Sequence, residues 1–549
     1  MPKKGFAKLK RQQKVKIPEY HTYIKLLPPT VGPILGEATH DHLRVMIRGA
    51  NLSDETICKE TEHFETGVCQ LSFNREFTQG VQTRIFKLNK DYDYTGVAIF
   101  SQLIADKKYF YRIGFAKGHK DDFKTKHIDW SKIPVDHVHI HPDTKSNQPV
   151  SFYLGSCRYV MQKGDAWSFD DSSDKIFGTA LEKLTFDNKQ VEFSIFCGDQ
   201  IYADDLNELS QRNNISDYQL KYRHVFSTPN FKALARRIPS YMMLDDHDIW
   251  DDYPDTSHIQ NGFLSPDTLR KSRVNGHRYF QAYQLSHSPK YEVKHLESPP
   301  SSSYNSELGR LACEKLINTP KNYWYDFDCG CLDVFVMDAR TERIINSEKR
   351  CGIMYRKQID AFKAWLEKDK DTRVKAVVVS VPLFPDYKDG KDQWGDERWR
   401  WQRDSVLEII RKAKVKRLMF LSGDVHSSFV SQLKHVSEDV KLYQVISSPL
   451  YWPHFTGQGD IDDYNIDGPM SGNNNWHITT RPSDNKRCET CLSDCSQKDS
   501  KTRNTICDNS CNFFTKDDNI CKIDVDLDGF SVKAFSRKGE ILSDRYFKF

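Results

Sequence analysis

Short apolar segments that each end in polar residues recur after Pro149, and they constrain the fold more than any other feature of the chain. Between them lie stretches such as residues 360–368 and 398–414, whose apolar residues are spaced by three and four as in a helix. Buried strands that alternate with helices predict an α/β domain, and ligands of such domains bind beyond the carboxyl ends of the strands. The segments are SFYLGSCR, VEFSIFCGD, SYMMLDDHD, LDVFVMDAR, VKAVVVSVPL and VKRLMFLSGDVH.

Residues from about 31 to 115 show a different pattern, in which apolar and polar residues alternate. Runs such as residues 68–77 keep a period of two and are separated by polar or Gly-containing breaks, which is typical of antiparallel strands. A chain of 549 residues is also too long for one ordinary hydrophobic core. We therefore expect a small all-β sandwich over residues 21–148, preceded by a basic tail at 1–20 and followed by a larger domain at 149–549.

The composition excludes several classes of partner. The formal net charge is only +4, so no global field attracts nucleic acid, and we expect no nucleic-acid partner. The first sixteen residues carry seven Lys or Arg, and we interpret them as a solvated tail, with contact to nucleic acid or lipid as the alternative. No apolar run of the length of a signal peptide or a membrane span follows. We expect no membrane span and a cytoplasmic location, with non-classical secretion left open; nothing indicates the oligomeric state.

Four strand ends carry residues of the kinds that bind metal ions. Aspartate, imidazole, phenolate and thiolate are together the ligands of a hard or borderline divalent or trivalent ion, and a shared carboxylate can bridge two ions. Two neighbouring ions can clamp the attacking and leaving oxygens of a displacement at phosphorus. Any one of these residues alone is more often a structural residue than a ligand, and the alternative for the cysteine and the tyrosine is a place in the buried core. Only their occurrence together indicates a metal site. The residues are Cys157, Asp199, Tyr202, Asp245, Asp246, His247, Asp248, Asp424 and His426.

The ordered motifs GSCR, GDQIYADD, LDDHDIWDDY and SGDVHSSF resemble those of the alkaline phosphatase D family of metallophosphatases. Further likeness lies in FVMDAR, in VPL followed by DQW and Arg398, and in SSPL. The resemblance spans about residues 151–453, and the alternating N-terminal region fits the all-β domain that precedes the catalytic domain in that family. It implies an α/β catalytic domain with a metallophosphoesterase-like β-sandwich core flanked by helices. It also implies a metal-dependent phosphoester hydrolase, a phosphomonoesterase or phosphodiesterase with a phosphoester substrate.

The same resemblance implies ligand roles. Cys157 as thiolate and Tyr202 as phenolate would hold a ferric ion together with aspartates, and Asp199 would bridge it to calcium or another divalent ion. Asp246 and His247 stand where many metallophosphoesterases have the Asn and His of a Gly-Asn-His triplet. The Asp-x-His opening motif of the common metallophosphoesterases is absent, and the Ser-Cys-Arg around Cys157 takes its place. This departure favours the alkaline phosphatase D branch.

Asp424 and His426 take the places of the family's final metal-binding pair. Our mechanistic hypothesis is that a metal-activated hydroxide attacks phosphorus while the ions and Arg158 neutralise the phosphoryl oxygens. His247 would donate a proton to the leaving group. We expect Arg158 and Asp245 on the substrate side; the alternative for Arg158 is a salt-bridged strand end.

Insertions at about residues 259–308 and beyond 468 leave the substrate range open. The first alternative function is a phosphodiesterase that acts on lipid or nucleotide diesters, because a metal centre of this type permits both reactions. The second is a non-catalytic interaction protein that retains the fold. Metal analysis together with hydrolysis of a generic aryl phosphate separates these three functions.

The C-terminal region contains a Cys-rich insert at about residues 484–521. Its Cys-x2-Cys and Cys-x3-Cys spacings are close to those of zinc sites, so Zn²⁺, disulfides and a mobile loop are the three alternatives. The run Asp524 to Gly529 copies the start of a calcium-binding loop, but its twelfth position is Phe535 instead of Glu. We therefore expect a C-terminal β-hairpin there. The six cysteines are Cys488, Cys491, Cys495, Cys507, Cys511 and Cys521.

Overall fold

The computed structural model describes most of the chain. The basic tail and five cysteines of the Cys-rich insert, Cys488 to Cys511, lie outside the described residues. The described residues are 23–52, 60–63, 65–118, 120–125, 127–160, 162–163, 168–169, 172–204, 215–256, 265–292, 320, 322–345, 351–388, 390, 392–454, 459–480 and 514–549.

Seven of the described N-terminal strands form two antiparallel sheets that share one core, and the other four form two short pairs. The first sheet has the order β2-β3-β8 and the second the order β11-β9-β6-β7. Leu35 and Val45 of one sheet pack with Leu71 and Tyr111 of the other. The strands are β1 Ile24–Lys25, β2 Val31–Leu35, β3 Leu43–Arg48, β4 Ala50–Leu52, β5 Glu60–His63, β6 Thr66–Ser72, β7 Gln82–Lys87, β8 Thr95–Phe100, β9 Lys108–Ala116, β10 Ile128–Asp129 and β11 Asp136–His139.

Fifteen of the remaining described strands form two larger sheets, and the other four form two short antiparallel pairs. Their alternation with helices follows the buried apolar runs of the sequence, and the predicted mixed α/β class is confirmed. The strands are β12 Val150–Gly155, β13 Gln162–Lys163, β14 Ser168–Phe169, β15 Thr185–Phe186, β16 Lys189–Gln190, β17 Phe193–Phe196, β18 Ser240–Met242, β19 Tyr325–Cys329, β20 Leu332–Val336, β21 Val374–Val378, β22 Leu418–Ser422, β23 Ser428–His435, β24 Lys441–Ile446, β25 Asp467–Met470, β26 Asn473–Thr479, β27 Phe514–Thr515, β28 Asn519–Val525, β29 Gly529–Ser536 and β30 Ile541–Lys548.

These two sheets face each other across the main core. One has the order β18-β17-β12-β28-β29-β30, and the other runs β19-β20-β21-β22-β24-β23-β26-β25 with β27 beside β23. Phe152 and Ile195 of the sheet that contains β12 lie in one buried cluster with Ala376 and Met419 of the sheet that contains β21. Strands β12, β17 and β18 are parallel, as are β20, β21, β22 and β24. The carboxyl ends of both parallel sets carry the predicted site residues.

Helices cover the outer faces of these sheets. The apolar side of the helix at Arg356–Glu367 buries Phe362 and Leu366 against the sheet that contains β21. Ile410, from the helix at Arg400–Ala413, lies in the same buried cluster. Ser265 caps the fifth helix by accepting the Thr268 N–H, and a π-helical turn at Gln281–Leu285 continues that helix. No helix among the described residues is both long and apolar enough to cross a membrane. The helices are α1 Asp122–Thr125, α2 Lys175–Glu182, α3 Ile215–Val225, α4 Pro229–Ala235, α5 Pro266–Phe280, α6 Arg356–Glu367 and α7 Arg400–Ala413.

The C-terminal strands β28, β29 and β30 form an antiparallel meander on the edge of β12. Asp524 lies inside β28, where it accepts hydrogen bonds from Ser151 and Lys522, so the run that copies a calcium loop is strand and turn. Cys521 is a buried free thiol of the same strand. Its inclusion in the Cys-rich insert was therefore wrong, because β28 already belongs to the central sheet.

Candidate active site

Four loops at the carboxyl ends of strands converge on one cluster. Cys157 follows β12, Asp199 follows β17, Asp246 follows β18, and Asp424 with His426 follows β22. Four of these five residues, all but Asp246, have positive φ angles between 49° and 73°. A positive φ is uncommon for residues with a side chain and is often held in place at functional sites. The turns therefore aim the side chains inward at a conformational cost.

The thiol and the phenol lie on the side of Asp199. Cys157 Sγ is 3.4 Å from Asp199 Oδ2, and the Tyr202 hydroxyl is 3.0 Å from His426 Nε2. All of these side chains are buried. Burial raises the pKa of the Cys157 thiol to about 12 and, together with the charge of Cys157, that of the Tyr202 phenol well above its ordinary value. A cation at this position would favour both deprotonated forms.

On the other side, three carboxylates surround one guanidinium. Arg340 Nε donates to Asp245 Oδ1 at 2.5 Å, while its Nη2 lies 3.2 Å from Asp246 Oδ1 and 3.7 Å from Asp424 Oδ1. Burial raises the pKa of Asp245 to about 6 against the lowering effect of Arg340. Burial also raises the pKa of Asp424 well above its ordinary value, with the neighbouring carboxylates as the next cause. Burial opposes the ionised form of Asp246, but Arg340 and His247 lower its pKa to about 2.

His247 lies between two further carboxylates. Its Nδ1 is 2.6 Å from Asp204 Oδ2, and its Nε2 is 3.7 Å from Asp251 Oδ1. Burial lowers the pKa of His247, but the charges of Asp204 and Asp246 outweigh it and hold the pKa well above the ordinary value. The neighbouring acids thus favour the protonated form of the imidazole, whose ring packs on Tyr202.

The donor set fits metal ions. Asp199, Asp246 and His247 each offer a ligand atom within 4.8 Å of one another, and so do Asp245, Asp246 and Asp424. Asp199 Oδ1 and Asp245 Oδ2 are buried and have no hydrogen-bond partner among the described residues. Buried polar atoms normally have a partner, and an ion is one explanation for those that lack it. Bound cations would stabilise these carboxylates, which repel one another and include oxygens without a hydrogen-bond partner among the described residues.

Arg158 is not part of this cluster, which corrects the expectation that it faces the substrate. Its guanidinium is fully buried, donates to Val225 O at 2.8 Å and to Thr228 Oγ1 at 2.7 Å, and lies over the rings of Phe177 and Phe231. These partners hold the guanidinium among helices α2, α3 and α4, beside the sheet that contains β12. The guanidinium among the carboxylates is that of Arg340.

Asp245 is also placed differently from its predicted position on the substrate side. It is fully buried beneath the cluster as a partner of Arg340. Asp204, which orients His247, was missed although it lies in the quoted GDQIYADD motif. Asp392, which accepts from both Arg340 and Arg343, was missed although it is the first residue of the quoted DQW motif.

A comparison with family models identifies the chain. The PhoD-like phosphatase model matches residues 172–458, which is more than half of the chain. The chain belongs to the PhoD-like phosphatase family. This membership confirms the resemblance to alkaline phosphatase D that the motifs predicted, and the protein is a phosphatase that hydrolyses phosphoesters, not a non-catalytic interaction protein. The family implies metal ions, which the acidic and imidazole groups of the cluster could hold.

Solved structures are similar in fold to this PhoD-like phosphatase. A structure of PhoD matches with a TM-score of 0.59 at 14% identity, covering 95% of this chain and 89% of that one. Purple acid phosphatase PPD1 from yellow lupin (Lupinus luteus) seeds matches with a TM-score of 0.52 at 12% identity, covering 94% and 74%. These matches confirm the predicted metallophosphoesterase-like fold. No protein with a curated description matches the chain in sequence.

Proposed function

We propose that this phosphatase is a metal-dependent phosphoester hydrolase with a two-ion centre. The ligands would be Cys157, Asp199, Tyr202, Asp246, Asp424 and His426. The observation that supports this proposal most directly is the buried Asp199 Oδ1, which has no partner among the described residues although it lies in a cluster of donors. When bound, the ions supply an activated water and neutralise phosphoryl charge.

Thiolate and phenolate suit a ferric ion, and carboxylates suit calcium or another hard divalent ion. We therefore expect the purified protein to contain tightly bound iron and an exchangeable divalent ion. The matched variants Tyr202→Phe and Cys157→Ser should each weaken or shift a visible charge-transfer band. Elemental analysis that finds only zinc in this centre, or a band unchanged in both variants, would contradict the ion assignment.

His247 is the proposed proton donor to the leaving alcohol. Asp204 Oδ2 accepts from Nδ1 of the ring, which leaves Nε2 directed towards the half-exposed Asp251. The two acids keep the ring protonated, and the bond to Asp204 fixes its orientation. The Arg340 guanidinium holds Asp245 and Asp246 below the ions. In this assignment, Arg158 has no catalytic role.

The second candidate function is hydrolysis of phosphodiesters. Asp251 and Asp252 lie at the edge of the cluster and are partly exposed, and the carboxyl groups there outnumber the cations. A diester carries one negative charge and a monoester dianion two, so repulsion from these acids would weigh more heavily on the monoester. We expect a higher kcat/KM for bis-p-nitrophenyl phosphate than for p-nitrophenyl phosphate. The reverse order would favour a monoesterase.

A further inference from the structure

Asp248 lies beside the cluster but differs from its carboxylates in having all of its oxygens satisfied. Its Oδ2 accepts the backbone N–H of Asp199 at 3.2 Å and that of Asp245 at 3.1 Å. Its Oδ1 accepts from Gln284 Nε2 at 2.9 Å. The side chain is fully buried. An oxygen that already accepts two N–H groups has little capacity left for an ion, so Asp248 is poorly suited to be a ligand.

The two N–H groups that Asp248 binds belong to different loops. One follows β17 and holds Asp199 at a φ of 52°, and the other follows β18. Asp199 lies beyond the last paired residue of β17, and Asp245 caps the short 3₁₀ turn Asp246–Asp248, to which Asp248 itself belongs. One carboxylate oxygen therefore ties together the backbones of two loops that carry proposed ligands.

Gln284 holds the other oxygen of Asp248, and it belongs to the π-helical turn Gln281–Leu285. Such turns occur frequently at functional sites because they redirect side chains from a regular helix. The preceding residue, Tyr283, donates its hydroxyl to Asp93 of the N-terminal sheets at 2.5 Å. The turn is thus fixed on one side by the N-terminal region and contacts Asp248 on the other.

We infer that Asp248 is a positioning residue, oriented by Gln284, which fixes the backbones of Asp199 and Asp245 so that the ligand loops are assembled before the ions bind. The inference rests on the proposed function, because it treats Asp199 as a ligand. The N-terminal sheets contribute to the site through the contact between Tyr283 and Asp93. The role depends on hydrogen-bond geometry and not on the charge of Asp248.

Two substitutions of one residue separate geometry from charge. In Asp248→Asn, the amide oxygen can accept both backbone N–H groups, while its NH₂ can donate to Gln284 Oε1, which has no partner among the described residues. In Asp248→Leu, a side chain of similar size accepts nothing. Loss of a partner that orients a ligand weakens metal affinity by about 10–100-fold. We expect that loss for calcium in Asp248→Leu, and a change of less than about threefold in Asp248→Asn.

The second readout does not depend on catalysis. In the metal-free protein, amide hydrogen exchange of peptides that cover residues 197–203 and 243–248 should be slow in the wild type and in Asp248→Asn, and faster in Asp248→Leu. Gln284→Leu in the Asp248→Asn background removes the acceptor for the new amide, so the double variant should bind calcium more weakly than Asp248→Asn. If Asp248→Leu does not fold, this double variant still tests the inference.

The control is Gln402→Leu, which removes a buried Gln that bonds to the backbone of Ile353 and Met354 away from the cluster. It should lower thermal stability and leave calcium affinity unchanged. If Asp248→Asn binds calcium as weakly as Asp248→Leu does, the charge of Asp248 is essential. If Asp248→Leu keeps the calcium affinity and the amide exchange of the wild type, Asp248 positions nothing. Either result overturns the inference. A wild type that exchanges as expected but hydrolyses no phosphoester would refute the proposed function alone.

Discussion

Asp199 and His247 lie in the same cluster of the site, but their side chains have different partners. Asp199 Oδ1 is buried without a hydrogen-bond partner among the described residues, so its charge is available to cations. The ring nitrogens of His247 face Asp204 and Asp251, so the ring is already engaged by two carboxylates. If Asp199 is the proposed ligand and His247 the proposed proton donor, their substitutions should impair the enzyme in different ways.

Asp199→Asn should lose the metals and the activity together, because it removes the charge that we propose to bridge two cations, which would then repel each other. His247→Ala should keep a nearly normal metal content while turnover falls by about 10²–10⁴-fold, the usual contribution of acid or base catalysis. The His247 variant should be less impaired with an aryl phosphate than with an alkyl phosphate, because an acidic leaving group needs little protonation. Metal analysis with both substrates checks this. If His247→Ala loses its metals as completely as Asp199→Asn, then His247 is a ligand.

Local sequence was enough to bring Asp199, Asp246 and His426 into one site, because each follows a buried strand and such ends meet at one edge. Local sequence was not enough to predict where the side chain of Arg158 lies. The partners of its guanidinium, Val225 and Thr228, are 67 and 70 residues further along the chain. No local pattern encodes such contacts, and only the structure shows that Arg340, and not Arg158, lies among the carboxylates.

At the element scale, the site depends on how closely the strand-end loops approach each other. A Cβ added at Gly423, directly after β22, would lie 2.1 Å from Ser156 Oγ and 2.3 Å from Ser156 Cβ. Ser156 is buried and donates to Ser447 O at 3.0 Å, so it has no room to move. The absence of a side chain at Gly423 allows the loop of Asp424 to lie against the loop of Cys157.

Gly423→Ala should therefore destabilise the fold by about 1–3 kcal/mol, the usual cost of overpacking a core. It should also weaken metal binding, because the two loops are forced apart. Gly352→Ala is the matched control, since the nearest atom to its added Cβ is 3.6 Å away and should accommodate it. Urea unfolding and metal titration of both variants check the prediction. Equal stability of the two variants would show that the loops have room to separate.

The buried strands and the two long helices after Arg356 could be predicted from apolar periodicity, because each pattern is complete within one element. The pairing of β28 with β12 could not, since it joins residues more than three hundred positions apart. For the same reason, Cys521 was grouped with the cysteines near it in sequence instead of with its sheet. The metal, disulfide or mobile-loop alternatives for the other five cysteines stay predictions.

At the scale of the whole molecule, the N-terminal sheets pack on the catalytic sheets as part of one core. Val31, Met46 and Val97 lie in the same buried cluster as the central strands. Beside them, Asp93 accepts from Arg48 of β3 and Arg223 of α3, and all three side chains are buried. The predicted boundary near residue 148 remains a prediction, and the contacts across it are extensive enough that the two parts should unfold together.

Asp93→Asn should lower the free energy of unfolding by about 3–5 kcal/mol, because breaking a buried ion pair leaves uncompensated charges, here Arg48 and Arg223. Asp267→Asn is the control: its carboxylate pairs with Arg270 and Lys271 at the surface, where solvent screens such pairs and they contribute little to stability. Urea unfolding at neutral pH measures both. Similar losses in the two variants would mean that the buried group contributes no more than a surface pair.

The contribution of Asp93 should also depend on pH with a definite sign. Burial raises the pKa of this carboxyl, but Arg48 and Arg223 outweigh burial and hold the pKa below its ordinary value of 3.8. Because the folded pKa is depressed, the stabilisation is fully present above about pH 4 and is lost as the pH falls from there towards the folded pKa. The difference in unfolding free energy between the wild type and Asp93→Asn should therefore be constant from about pH 7 to about pH 5 and should shrink below about pH 4. Urea midpoints of both proteins across this range test it. A difference that shrinks already between about pH 7 and about pH 5 would mean that a group with a raised pKa, and not the depressed carboxyl of Asp93, controls this contact.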